Sequence, residues 1–244
     1  MIGRIEELNH LFNLYNNDSF EFLVMYGRRR IGKTTILQEF SEKTNSIFFP
    51  AREKNDALNL EDFSKIIQYH FDKQFYSSFS SWEDAFNYIS SKAHDKVSII
   101  IDEFPYIIEE NPSVKSILQH VIDHSWKQKN IFLILCGSSV SIMENDVMGR
   151  KSPLHDRQTS TLEIKPFDYY ESSGFFPEYN NIDKILAYGI LGGVPRYLEA
   201  FDSSKTIEQN IATRIIQNGS YLYEEPMNLL KAEVRETNIY NSIL

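Results

Sequence analysis

The sequence predicts an α/β fold in which a parallel sheet is flanked by helices, followed by a smaller C-terminal helical domain. Through residues 1–164, short apolar runs alternate with segments of helical spacing, which favours parallel strands joined by helices. After residue 164 the strand signal fades, and the segments within 165–235 have helical patterns. With 244 residues and 42% hydrophobic content, the chain is large enough to bury a core in each predicted domain.

The elements follow from local patterns, taken in chain order. Apolar residues at positions 5, 8, 11 and 12 predict a first helix, and Ser81 is a suitable N-cap for the helix that starts at Trp82. The predicted strands are 22–26, 46–50, 97–101 and 131–136, and the later helices of the first domain are 35–40, 60–71, 82–93 and 112–126. The predicted helices of the second domain are 182–191, 195–201, 207–217 and 221–234.

Composition and charge exclude several classes of protein. The net charge of −9 argues against nucleic-acid binding through this segment alone, because sequence-independent binding needs a positive surface. The longest apolar runs are of strand length and far short of a bilayer span, so no membrane partner is expected. The single cysteine, Cys136, has no internal disulfide partner and ends an apolar run, which predicts a core residue and a reducing, cytoplasmic location.

A phosphate-binding loop is the most specific local signal. Gly27-Arg28-Arg29-Arg30-Ile31-Gly32-Lys33-Thr34 has the pattern G-x-x-x-x-G-K-[ST] and directly follows a predicted strand. The glycines allow main-chain N–H groups to surround a polyphosphate. Lys33 reaches the outer phosphates and is assigned to catalysis as well as to binding, while Thr34 offers a hydroxyl to Mg²⁺. A chance match in a surface turn is the competing interpretation, which the strand before and the helix after disfavour. The predicted nucleotide contacts here are Gly27, Arg28, Arg30, Ile31, Gly32, Lys33, Thr34 and Thr35.

A pair of acids, Asp102 and Glu103, follows the strand predicted at 97–101. Phosphoryl transfer to water requires one carboxylate that holds Mg²⁺ and a second that orients and deprotonates the water. We therefore assign Asp102 to the metal and Glu103 to catalysis. An acidic strand end at a solvent-facing turn is the competing interpretation, and the phosphate loop upstream disfavours it.

Ser138 follows the strand predicted at 131–136. The carboxyl ends of parallel strands lie at one edge of a sheet, so its side chain is expected beside the phosphate loop and the acids. Its hydroxyl is suited to a catalytic role, sensing the terminal phosphate or aligning the water. The serines at 138 and 139 are equally suited to capping the next helix, and both roles are compatible.

Five segments occur in one order along the chain: 27–34, 101–104, 136–139, 149–157 and 192–199. Together they resemble the archaeal-type ATPases of the AAA+/STAND branch of P-loop proteins, and the resemblance covers nearly the whole chain. It implies a P-loop NTPase sheet with a helical lid domain at 165–235, and ATP and Mg²⁺ as ligands.

The resemblance implies further site residues. Arg4 belongs to an N-terminal box that lies near the nucleotide base in relatives, although a helix-capping segment is equally compatible. Pro195 belongs to a Gly-x-Pro motif of the lid, and Arg196 would act as a lid sensor; a plain turn before a helix also explains Pro195. Arg157 is implied as a catalytic arginine that faces phosphate or a neighbouring subunit, with Arg150 in the same loop. Surface salt bridges are the alternative for both.

Two features depart from the family pattern. Relatives of full length continue into a winged-helix domain, and residues 236–244 resemble its first helix, so the start of a truncated winged-helix region is expected there. His155-Asp156 precedes Arg157 where relatives more often have an aromatic residue and a glycine, which weakens the assignment of Arg157.

Two classes of function are open on the sequence. The first is Mg²⁺-dependent ATP binding with slow hydrolysis that drives closure of the lid. The second is a nucleotide-bound scaffold, or a DNA-associated regulator, that does not hydrolyse ATP and acts through a missing C-terminal domain. No segment for guanine recognition is found, and the paired acids favour water over a substrate hydroxyl as acceptor. The resemblance is also compatible with a homo-oligomer or a protein partner.

Overall fold

The computed structural model describes residues 2–233, with side chains for residues 2–229, and these divide into two compact units. One unit is Arg4–Ile164 and has an α/β architecture. The other comprises the remaining described residues, mainly from Lys165 onwards, and is helical. The winged-helix region expected at 236–244 lies outside the described residues.

The α/β unit follows the predicted order of strands and helices. Its strands are β1 (Glu21–Tyr26), β2 (Ser46–Pro50), β3 (Val97–Asp102), β4 (Ile131–Gly137) and β5 (Ser160–Glu163). Its helices are α1 (Ile5–Tyr15), α2 (Lys33–Glu42), α3 (Asp56–Asp72), α4 (Trp82–Lys92), α5 (Pro105–Glu110), α6 (Val114–His124) and α7 (Val140–Ile142), with a 3-10 turn at Trp126–Gln128 and a π-helical turn at Met143–Val147.

The sequence patterns missed β5 and α5. The strand β5 pairs with β1 at one edge of the sheet, and its side chains alternate between half-buried and exposed, so it contains no continuous apolar run. The helix α5 begins with Pro105 and has only six residues, too few to show helical spacing. As expected, Ser81 caps α4, accepting a hydrogen bond from the main-chain N–H of Asp84.

The strands form one parallel sheet in the order β2-β3-β4-β1-β5, so the predicted α/β fold class is confirmed. Ile134 of β4 lies opposite Leu23 of β1 on one side and Ile100 of β3 on the other. Because β4 separates β1 from β3, the residues that follow these three strands share one edge of the sheet.

Alternate residues of β1, β2, β3 and β4 face two separate cores. On β4, Leu133 faces the first core, which contains the fully buried indole rings of Trp82 and Trp126. Ile134 faces the second core, where Phe40 of α2 packs against the sheet beside α1. Helices therefore cover both faces, which explains why the central strands read as continuous apolar runs.

The helical unit contains α8 (Tyr169–Ser173), α9 (Asn181–Leu191), α10 (Pro195–Leu198), α11 (Ile207–Asn210) and α12 (Tyr221–Glu233), with a π-helical segment at Ile211–Ile216. Its core includes Phe167 and Phe176. Gly193 is essential to this packing, since a Cβ there would lie 1.8 Å from the main-chain oxygen of Phe167. None of the helices within residues 2–233 is long and apolar enough to cross a membrane.

Candidate functional site

The loop between β1 and α2 has the main-chain geometry of an anion-binding turn. Gly27, Arg30 and Gly32 all have positive φ, at 150°, 70° and 91°. A Cβ at Gly27 would lie 2.4 Å from the main-chain oxygen of Ile164, so only glycine fits there without a shift. The loop ends where α2 begins at Lys33, which places the unpaired N–H groups of the first helical turn at the loop.

The Lys33 side chain lies beneath this loop and is only 5% exposed. Its ammonium donates hydrogen bonds to the main-chain oxygens of Gly27 and Arg28, at 2.8 and 2.9 Å. Burial lowers the pKa of Lys33, whereas the charges of the nearby Asp102 and Glu103 carboxylates raise it. An anionic ligand in the loop would favour the charged ammonium in the same direction as these carboxylates.

Thr34 and Asp102 bring two oxygen ligands together beside the loop. The Thr34 hydroxyl donates to Oδ2 of Asp102 at 2.6 Å, and Oδ1 of Asp102 accepts from the main-chain N–H of Glu103 at 3.1 Å. Asp102 is 3% exposed. Hydroxyl and carboxylate oxygens fit Mg²⁺, which is usually bound by one or two protein groups together with water and phosphate. Within the described residues there is no group of three or more His, Cys, Asp or Glu suited to a metal ion.

Glu103 and Ser138 are brought together by the neighbouring strands β3 and β4. Oε2 of Glu103 accepts hydrogen bonds from both the main-chain N–H and the hydroxyl of Ser138, at 3.0 and 2.9 Å. Glu103 itself has a φ of 55°, an uncommon value for a residue with a side chain. Strained main-chain conformations of this kind cluster at functional sites.

Other side chains of the loop and its neighbours have less direct positions. The Arg28 side chain is exposed and that of Arg30 is partly buried, while Thr35 is exposed on the first turn of α2. Cys136, at the end of β4, is fully buried, and burial raises its pKa well above the ordinary value. A protonated thiol in the second core agrees with its interpretation as a core residue.

Arg4 contacts the phosphate loop from outside. Its guanidinium donates to the main-chain oxygen of Ile31 at 3.0 Å and to Oε1 of Glu7 at 2.8 Å. The Arg4 side chain is 4% exposed and the residue has a φ of 65°. No sequence pattern indicated the contact with Ile31, which joins residues 27 positions apart.

Arg157 is engaged in an ion pair. Its guanidinium donates two hydrogen bonds to Oδ2 of Asp123, at 3.0 and 2.7 Å, and a third to the main-chain oxygen of His155 at 3.0 Å. This geometry matches the salt-bridge alternative rather than a guanidinium directed at phosphate. Arg150, in the same loop, is exposed.

The remaining predicted residues lie in the helical unit. Pro195 is the first residue of α10, where the missing N–H of proline has no cost. The Arg196 guanidinium lies 5.1 Å from the ring centre of Tyr221 and 3.5 Å from Oε2 of Glu199. With Arg214 and Ser220, these residues line a cavity of about 400 Å³.

Residues 1–201 match the family described as an ATPase domain predominantly from Archaea. A protein of Methanocaldococcus jannaschii, MJECL04, which is described as uncharacterized, is 34% identical over 243 residues. That match covers 100% of this chain but 53% of the relative, so the chain spans about half the length of that protein. An uncharacterized ATP-binding protein of the same organism, MJ0423, is 39% identical over 51 residues, covering 19% of this chain and 86% of that protein.

Solved structures share the fold at low sequence identity. The Walker-type ATPase paby2304 of Pyrococcus abyssi superposes with a TM-score of 0.62 at 19% identity, covering 95% of this chain and 72% of that protein. The Aeropyrum pernix ORC2 protein, in ADPNP and ADP complexes, gives 0.55 at 14% identity, covering 72% and 51%. The ORC1 protein of the same organism, in complex with DNA, gives 0.55 at 16% identity, covering 87% and 59%.

Proposed function

Because the chain belongs to the family of ATPase domains found predominantly in Archaea, we propose that it binds ATP with Mg²⁺ and hydrolyses it slowly. The observation that carries this proposal is the convergence of the phosphate loop, the Thr34–Asp102 pair and the Glu103–Ser138 pair at one edge of the sheet. Three segments, 68 and 35 positions apart, supply these contacts.

The phosphate loop binds the polyphosphate in this proposal. Main-chain N–H groups of the loop and of the first turn of α2 donate to phosphate oxygens, and Lys33 provides a positive charge at the outer phosphates. The predicted contacts of Arg28 and Thr35 are made mainly through their main-chain N–H groups, since both side chains are exposed. This arrangement binds and orients the ligand before any reaction begins.

Thr34 and Asp102 would hold Mg²⁺, which neutralises charge on the phosphates when it is bound. Glu103 is the proposed general base. It orients a water molecule and accepts its proton as the water oxygen attacks the terminal phosphorus and the bond to the leaving ADP oxygen breaks. Ser138 holds Oε2 of Glu103 through two hydrogen bonds, which leaves Oε1 as the oxygen for that water.

The helical unit is the proposed lid, with Pro195 and Arg196 as its nucleotide-facing residues. The proposal for this unit is supported by the family match, which includes residues up to 201. The second candidate is a nucleotide-bound scaffold or DNA-associated regulator without hydrolysis. It is favoured by the relative of about twice this length and by the DNA complex of the ORC1 neighbour, whereas the net charge of −9 disfavours DNA binding through this segment alone.

Calorimetric titration of the purified chain with ATP and GTP, each with Mg²⁺, tests the site and the base together. We expect ATP to bind more tightly than GTP. Lys33→Ala should weaken ATP binding by roughly 100-fold, because the substitution removes about two charge-assisted hydrogen bonds to the phosphates. Lys92→Ala, which removes an ion pair with Asp72 on another helix, is the matched control and should bind ATP normally. Unaltered ATP binding by Lys33→Ala would contradict the proposed site.

A further inference from the structure

The phosphate loop is held from outside at both of its ends. At the first end, the main chain of Ile164 lies against Gly27, and its N–H donates to the main-chain oxygen of Tyr26 at 2.7 Å. Near the second end, the Arg4 guanidinium donates to the main-chain oxygen of Ile31 at 3.0 Å. Of these two supports, the one from Arg4 is made by a side chain and is therefore open to substitution.

The hydrogen bond from Arg4 to Ile31 is made by a buried guanidinium whose charge is balanced. The side chain is 4% exposed, and its charge is balanced by Glu7, one turn along α1, at 2.8 Å. Charge-assisted hydrogen bonds of a buried guanidinium are strong, and removing the arginine would leave the Ile31 oxygen without this donor. Ile31 is fully buried, so turning this part of the loop towards water would expose an apolar side chain.

The contact also involves the first residue of the α/β unit. The α/β unit begins at Arg4 and ends at Ile164. Both residues that support the phosphate loop are thus the terminal residues of this unit. The contacts that hold the phosphate loop therefore lie at the two points where the chain enters and leaves the α/β unit.

We propose that Arg4 is a positioning residue for nucleotide binding, which holds the phosphate loop in its binding conformation through the main-chain oxygen of Ile31. The inference rests on the proposed function, because it concerns the same loop, but it assigns Arg4 a role that needs no contact with the nucleotide. It predicts that Arg4 affects binding of the phosphates through the loop, whereas the family resemblance places this residue near the base.

Titration of the full chain with Mg²⁺-ADP and with inorganic pyrophosphate separates the two roles. If Arg4 is a positioning residue, Arg4→Ala should weaken the binding of both ligands by the same factor, roughly tenfold. If Arg4 contacts the base, ADP weakens while pyrophosphate binding is unchanged, and this result would overturn the inference. Equal affinities of Arg4→Ala and the wild-type chain for both ligands would overturn it as well.

Two further variants separate positioning from general loss of stability. Glu7→Gln removes the ion-pair partner of Arg4 but retains the donor to Ile31, so it should lower the melting temperature without changing either affinity. A loss of affinity in Glu7→Gln as large as in Arg4→Ala would show a merely structural role. If Arg4→Ala does not fold, Arg4→Lys replaces it, because lysine keeps a positively charged donor. Arg4→Lys should weaken the binding of both ligands equally, and by less than tenfold. Weaker binding of ADP alone would again refute the positioning role.

A wild-type chain that binds neither ADP nor pyrophosphate would refute the proposed function, and this inference with it. That outcome is distinct from the others, in which the wild-type chain binds both ligands and only the behaviour of the Arg4 variants differs.

Discussion

The two arginine- and lysine-rich loops of the α/β unit, 27–34 and 149–157, place their cations in different surroundings. In the first loop, Lys33 donates to the neutral main-chain oxygens of Gly27 and Arg28. In the second, Arg157 donates twice to the carboxylate of Asp123. An ammonium held by neutral oxygens gains a favourable electrostatic interaction when a phosphate approaches. A guanidinium that is already paired with a carboxylate must first lose that partner.

In this structure, the two loops therefore differ in what their basic side chains would have to give up in order to bind phosphate. Both loops carry basic residues, but the pattern G-x-x-x-x-G-K-[ST] itself predicts the role of the first loop, whereas only the family resemblance implies a role for the second. The difference lies in the partner: Asp123 belongs to α6, which the sequence does not connect with the second loop.

The largest expected effect breaks the catalytic part of the first region. Glu103→Gln should reduce phosphate release on the order of 100-fold to 10,000-fold, because the amide cannot accept a proton from water. ATP binding should be retained, since the Thr34–Asp102 pair and Lys33 are unchanged. Steady-state phosphate release and equilibrium ATP binding are the two measurements. Unchanged phosphate release would favour the non-hydrolysing scaffold instead.

An effect of intermediate size is expected from the titration of Lys33, which should change nucleotide affinity and the free energy of unfolding in opposite directions. Burial lowers the pKa of Lys33 below its ordinary value of 10.5, so the ammonium loses its proton at a lower pH than an exposed lysine does. Nucleotide affinity should therefore fall as the pH rises through this lowered pKa. In the same window the free energy of unfolding should rise relative to that of Lys33→Met, because the neutral amine no longer carries the cost of burying a charge.

These two trends are measurable on one pair of proteins. ATP titrations and urea unfolding of the wild-type chain and Lys33→Met, at a series of alkaline pH values, give the affinity and the stability difference. A stability difference between the two proteins that stays constant with pH would contradict a lowered pKa for Lys33.

The smallest expected effect sharpens the second region. Asp123→Asn removes the charged partner of Arg157, and both side chains are only partly exposed, at 23% and 24%. We expect a loss of about 1 kcal/mol in the free energy of unfolding, and no change in ATP hydrolysis, because the pair stabilises the loop rather than the reaction. Chemical denaturation and phosphate release check the two parts. A large change in hydrolysis with little change in stability would support the predicted catalytic role of Arg157.

Much of the fold could be predicted because its signals are local. The strand 46–50 and the start of the helix at Trp82 coincide with the structure, as buried strands and capped helices leave direct marks in the sequence. The edge strand β5 could not be predicted, since its pairing with β1 depends on residues about 137 positions away rather than on an apolar run of its own.

The sequence by itself determined the α/β class, the phosphate loop and the acids after β3, because each depends on short-range spacing and on the order of strands. Only the tertiary structure decided which partner each charged side chain has: Asp123 for Arg157, Ile31 for Arg4, and Ser138 for Glu103. These contacts join segments that are distant in the chain, and hydrogen bonds depend on positions and directions of atoms that spacing along the sequence does not specify.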